Sequence, residues 1–136
     1  MQYLNDLKTV VEINSFTQNK AGVDKVGEIF DTWFEALGFK TKIYERELIG
    51  NHRYYTSKHT NNSKKLLLLG HIDTVFPKGK FEEYTQDEDW VYGAGVCDMK
   101  GGNIVALQAL RELHKKNINI QNIDVLLVSD EESGSD

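Results

Sequence analysis

A single cysteine, Cys97, stands in 136 residues, so no intrachain disulfide can staple this chain, and a reducing compartment suits it. A single proline, Pro77, and the lack of Pro-, Gly- or Ser-rich stretches argue against a linker or a low-complexity segment. No apolar run approaches the roughly 18 residues needed to span a bilayer, so no membrane partner is expected. Met1 to Asp6 shows no basic stretch leading into an apolar one, so no signal peptide is visible and a cytoplasmic location is expected. Basic residues are the minority, 16 against 21 acids for a net charge of −5, which argues against a nucleic-acid partner. What the chain does have is enough length to bury one core, and acid gathered at its end: four of the last seven residues are Asp or Glu.

Apolar spacing organises the rest. Leu4, Leu7, Val10 and Val11 predict a helix over 2–13, and Val23, Val26, Ile29, Phe30, Trp33, Phe34 and Leu37 predict one over 20–37, with Gly38 placed as a left-handed cap. Phe39, Thr41 and Ile43 alternate as a half-buried strand, and 53–57 is its plausible partner. Residues 60–63 form a turn; the Asn61-Asn62-Ser63 sequon within it is set aside without a secretory signal. Four consecutive leucines at 66–69, closed by Gly70, predict a central parallel strand covered on both faces, and 125–128 (Val-Leu-Leu-Val) predicts another. Ile104, Leu107, Leu110 and Leu113 put a helix over 100–116 between them. The expected fold is an α/β layered sheet with central parallel strands and flanking helices.

Three polar segments punctuate that scaffold. Directly after the leucine strand come His71 and Asp73, which point the same way in extended chain. A carboxylate beside an imidazole fixes the tautomer and frees the other nitrogen for a metal. The glycine-rich run 93–102 superficially suggests a dinucleotide fingerprint, but Asp98 stands where the third glycine belongs, and its charge would repel a pyrophosphate. An aspartate there is better suited to a cation. Cys97 lacks a motif pairing it with a base, and a buried structural cysteine is the expected reading. After the second apolar strand, Asp130, Glu131 and Glu132 crowd together and call for protons or a cation. If both apolar strands run parallel, His71 and the Glu131-Glu132 pair emerge at the same sheet edge, where open α/β sheets place ligands. Imidazole and carboxylates without thiolate suit zinc, or manganese or cobalt. One such carboxylate can bridge two metals. Of two adjacent glutamates, one can ligate while the other takes a proton from water; spacing alone does not say which. The chemistry expected is metal-assisted hydrolysis of an amide.

Gly-His-Ile-Asp-Thr-Val (70–75), Gly-Val-Cys-Asp-Met-Lys-Gly-Gly (95–102) and Ser-Asp-Glu-Glu-Ser-Gly-Ser (129–135) stand in that order. In these motifs the chain resembles the zinc-dependent acetylornithine deacetylase, succinyl-diaminopimelate desuccinylase and glutamate carboxypeptidase family, most of all the last branch. The resemblance implies that His71 ligates a first zinc with Asp73 orienting it. It implies further that Asp98 bridges two zinc ions, with a cis peptide after it, that Glu131 is the general base and that Glu132 ligates the second zinc. It implies a substrate that is an N-acyl amino acid or small peptide, with release of a C-terminal glutamate possible for the branch, and a homodimeric complete enzyme. The family's further acidic ligand, its late histidine and its inserted lid have no counterpart in 1–136. His52, His59 and His114 do not stand in the missing histidine's motif. The chain therefore reads as the N-terminal portion of a catalytic domain, expected to be inactive alone. The competing expectation is a non-catalytic α/β domain that associates through an unfinished sheet edge.

Overall fold

A computed structural model describes residues 1–61 and 64–135. The turn and sequon expected over 60–63 lie in part outside the described residues. Two amphipathic helices come first, α1 (Gln2–Val11) and α2 (Lys20–Glu35). Beyond α2, Gly38 adopts φ 88° and its N–H returns to Glu35 O, the left-handed stop expected there. Strands β1 (Lys40–Tyr44), β2 (His52–Thr56) and β3 (Leu66–His71) follow, then a short hairpin of β4 (Thr85–Gln86) and β5 (Val91–Tyr92). Helix α3 (Lys100–Lys115) leads into β6 (Ile123–Val128), and the described chain ends on a 3₁₀ turn, Glu131–Ser133.

The four-stranded sheet has the order β1-β2-β6-β3, with β3 and β6 parallel and the other pairs antiparallel. The parallel pair, joined by a crossover containing α3, is the α/β arrangement expected from the sequence. One detail corrects that expectation. Strand β6 is central, but β3 lies at the edge of the sheet among the described residues, with Leu66, Leu67 and Leu69 exposed by 53, 51 and 63%. The leucine run is the composition of a strand covered on both faces, yet only Gly70 and His71 at its end are buried.

One core holds the layers together. Val10 and Val11 of α1, Val23, Val26, Phe30 and Phe34 of α2, and Ile104, Leu107 and Leu110 of α3 close over Tyr55, Val125 and Leu127 of the sheet. Phe34 stacks on Tyr55 with centroids 4.4 Å apart. The same layer contains Arg53, buried with its guanidinium on Asp31 Oδ2 (3.1 Å), Asn51 O (2.9 Å) and Asp24 O (3.2 Å). Tyr55 donates its hydroxyl to the other oxygen of Asp31, and burial together with that carboxylate pushes its pKa well up. Five donors sit in the guanidinium fork, so the surrounding oxygens are what make its burial tolerable.

Candidate metal centre

Parallel pairing sets the site. Because β3 and β6 run the same way with His71 opposite Val128, the residues following each strand leave the sheet at one edge. Ile72 N–H donates to Val128 O (3.0 Å), carrying the pairing one residue past β3. Helix α3 starts against the same edge, and Asn103 on its first turn donates Nδ2 to His71 O at 2.6 Å. That approach requires Gly70, since a Cβ there would come within 2.3 Å of Asn103 Oδ1. The glycine-rich run ahead of α3 has an equally local reason: a Cβ at Gly101 would stand 2.0 Å from Val96 O. These glycines fold a tight loop onto its own backbone, and they deliver Asp98 to the end of β3.

The structure brings His71, Asp98 and Glu132 together, each with one donor atom within 4.8 Å of the others. His71 Nε2 lies 2.9 Å from Asp98 Oδ1 and 3.7 Å from Glu131 Oε2. On the other side of the ring, Nδ1 bonds the Asp73 backbone carbonyl at 3.1 Å, and Asp73 Oδ1 is 3.2 Å away. Asp73 is fully buried, whereas Asp98 is 73% exposed at the mouth. The Asp98–Met99 bond is cis, as the resemblance implies. Of the five residues expected from the sequence, His71, Asp98 and Glu132 stand together, Asp73 lies behind the ring on Nδ1 and Glu131 lies 3.7 Å from Nε2.

The electrostatics of the cluster favour positive charge. Burial by itself would lower the pKa of His71, but hydrogen bonds to Asp73 and Asp98 and their charges outweigh it and raise it to about 9. Burial raises the pKa of Glu132, and the charges of Asp98, Asp73 and Glu131 raise it further against the opposing pull of His71. Burial would also raise Asp73, but His71, Thr17 and the Glu132 N–H hold its carboxyl below the usual range. The donors are one imidazole nitrogen and carboxylate oxygens with no thiolate, a set that fits a divalent metal such as zinc.

The sequence assigns several neighbours no site role. Thr17, in the α1–α2 connector, donates its hydroxyl to Asp73 Oδ2 at 2.6 Å. Lys100 is fully buried and donates Nζ to Val10 O (2.8 Å) and Ile13 O (3.0 Å), carbonyls just at and beyond the end of α1. Burial pushes its pKa down to about 7. His52 accepts the N–H of Ser129 on Nδ1, so it braces the start of the third motif without joining the donor set. Cys97 is exposed, which corrects the expected buried role; among the described residues no base hydrogen-bonds its thiol.

The profile of peptidase family M20/M25/M40 matches residues 67–136, the stretch that holds the three motifs. Carboxypeptidase G2 of a Pseudomonas species is 31% identical over 97% of this chain and 33% of its own length. Succinyl-diaminopimelate desuccinylase of Rickettsia typhi is 30% identical over 98% of this chain and 37% of its own. A crystal structure of a tripeptidase from Staphylococcus aureus superposes with a TM-score of 0.80 at 28% identity, covering 97% of this chain and 37% of that one. The chain thus spans about a third of the length of these relatives. It belongs to peptidase family M20/M25/M40.

Proposed function

We propose that the chain supplies the N-terminal part of the catalytic domain of a metal-dependent amide hydrolase, a carboxypeptidase or deacylase acting on small peptides or N-acyl amino acids. The observation that carries this reading is the convergence of His71, Asp98 and Glu132 within 4.8 Å at the end of the parallel strand pair. The relatives' names support the substrate class, since a carboxypeptidase, a desuccinylase and a tripeptidase all cleave amide bonds.

In this reading His71, Asp98 and Glu132 would be the residues that hold two divalent cations, zinc foremost with cobalt or manganese as substitutes, and Asp98 would serve both. Cations bound there supply Lewis acidity toward the scissile carbonyl and toward water. Asp73 holds the His71 ring from behind, its backbone carbonyl hydrogen-bonded to Nδ1 and its carboxylate 3.2 Å from the same nitrogen. Glu131, exposed and 3.7 Å from His71 Nε2, takes a proton from the attacking water and returns it to the leaving nitrogen. Three donors are few for two cations, so the 136-residue chain alone is proposed not to turn over.

The test uses the complete protein of which this is part. It should hydrolyse dipeptides or N-acyl amino acids, lose that activity to a chelator and regain it with zinc. Hydrolysis that survives exhaustive chelation would sink the proposal.

A further inference from the structure

The α1–α2 connector has no part in the chemistry proposed above, yet it is fastened to the metal loop. Asn14 Nδ2 donates to Phe76 O (2.9 Å), Thr17 N–H to Thr74 O (3.1 Å) and Thr74 N–H to Ser15 O (2.8 Å). From this stitched segment Thr17 Oγ1 donates to Asp73 Oδ2 at 2.6 Å, a bond between two buried groups. The same Oδ2 accepts the N–H of Glu132 at 3.2 Å. The other oxygen, Oδ1, stands 3.2 Å from His71 Nδ1 and has no aligned hydrogen-bond donor. One carboxylate thus touches the imidazole of one motif and the backbone of another, and the shortest bond to it comes from Thr17.

The terminal torsion of an aspartate is broad, so a buried carboxylate takes its plane from its partners. With the Thr17 hydroxyl removed, Oδ2 would keep only the longer bond from Glu132; His71 Nδ1 would keep the Asp73 backbone carbonyl, but the carboxylate beside the ring and under the 131–133 turn would lose its fixed plane. We propose that Thr17 is a positioning residue of the metal centre. Its hydroxyl sets the plane of the Asp73 carboxylate, and through that plane it sets the His71 ring and the Glu132 backbone at once. This rests on the metal-centre reading, but it makes a claim about Glu132 that holds without a metal. A Thr17 that only satisfied a buried acid would change stability and leave Glu132 where it is.

The experiment compares the wild-type chain with Thr17→Val, which keeps the shape, and Thr17→Ser, which keeps the hydroxyl. Amide hydrogen exchange is read at Glu132 and at Leu127 in metal-free protein, and zinc affinity by competition with a chromogenic chelator. Thr17→Val should speed exchange at Glu132 about tenfold with Leu127 unchanged, the scale of one hydrogen bond to a charged group. It should also weaken zinc binding about 10- to 100-fold, the usual cost of losing a partner behind the ligands. Thr17→Ser should restore both. Thr17→Val exchanging at Glu132 as wild type does, or speeding Glu132 and Leu127 alike, overturns the proposal. If Thr17→Val does not fold, Thr17→Ala is read by the same two outcomes. A wild-type chain that takes up no zinc defeats the metal-centre reading alone, and Glu132 exchange still decides for or against Thr17.

Discussion

His71 Nε2 and Asp98 Oδ1 meet at 2.9 Å although 27 positions separate them in the chain. The contact joins the last residue of β3 to the loop that opens α3, and Glu132, arriving from the end of β6, faces the same point. Each of the three donors stands at or just beyond the end of an element of one parallel β-α-β unit, so their meeting is a consequence of the topology.

The role given to Glu131 separates binding from chemistry. In the complete protein, Glu131→Gln should keep zinc content while kcat falls about 10²- to 10⁴-fold, the range for losing a general base. Metal analysis beside steady-state kinetics checks this, and a parallel loss of zinc would reassign Glu131 as a ligand.

Arg53 is the interior group most exposed to a single change. Arg53→Met leaves Asp31 with the Tyr55 hydroxyl, takes one donor from Asp24 O and one from Asn51 O, which keeps the Ser129 hydroxyl, and removes the cation from between two half-buried acids. Breaking a buried charge network in this way costs about 3–5 kcal/mol. Urea denaturation of the 136-residue chain should show a loss of that order; a change below about 1 kcal/mol would mean that water reaches the network.

Asp124, at the opposite end of β6 from the metal centre, provides a pH handle. Burial works to raise its pKa, but Tyr54, His59 and the Ser57 N–H outweigh burial and hold the carboxyl below its usual value. Below the unfolded value of about 3.9 the unfolded chain binds the proton first. The stabilisation from Asp124 is therefore complete above that pH and is lost as pH falls through the depressed folded value. Thermal melts between pH 6 and 3 should fall more steeply for wild type than for Asp124→Asn, and equal slopes would count against the network.

The exposed edge of β3 predicts self-association. Leu66, Leu67 and Leu69 present apolar side chains on a strand with no neighbour beyond it among the described residues. Sedimentation velocity of the 136-residue chain should show concentration-dependent species that Leu67→Lys with Leu69→Lys suppresses. Stability should shift by no more than about 0.5 kcal/mol per exposed site. A wild-type chain that stays monomeric at high concentration would remove the competing reading of an associating domain.

Much of this was legible beforehand because it is periodic or local. Apolar spacing placed α1, α2 and α3 within two residues of their ends, and the two apolar runs correctly foretold a parallel pair. The grouping of His71, Asp98 and Glu132 was readable from three motifs, since each stands at the end of a strand or ahead of a helix. Burial was not readable at Leu66–Leu69, because a leucine run has one composition whether or not a neighbour covers it. Nor was Arg53: an arginine in a strand reads as solvent-facing until Asp24, Asp31 and Asn51 are brought around it. Thr17 was invisible for a related reason, since its partner Asp73 lies 56 positions away. The hairpin of β4 and β5 is only two residues a side, too short for alternation to show.

Zinc binding to the 136-residue chain, measured by chelator competition with His71→Ala, Asp98→Asn and His114→Ala alongside wild type, tests the centre most directly. The account predicts saturable binding in wild type and in His114→Ala, whose histidine lies late on α3 outside the donor set. It predicts binding at least about tenfold weaker in each of the other two. Equal zinc uptake by wild type and His71→Ala, or no uptake by wild type at all, would contradict it.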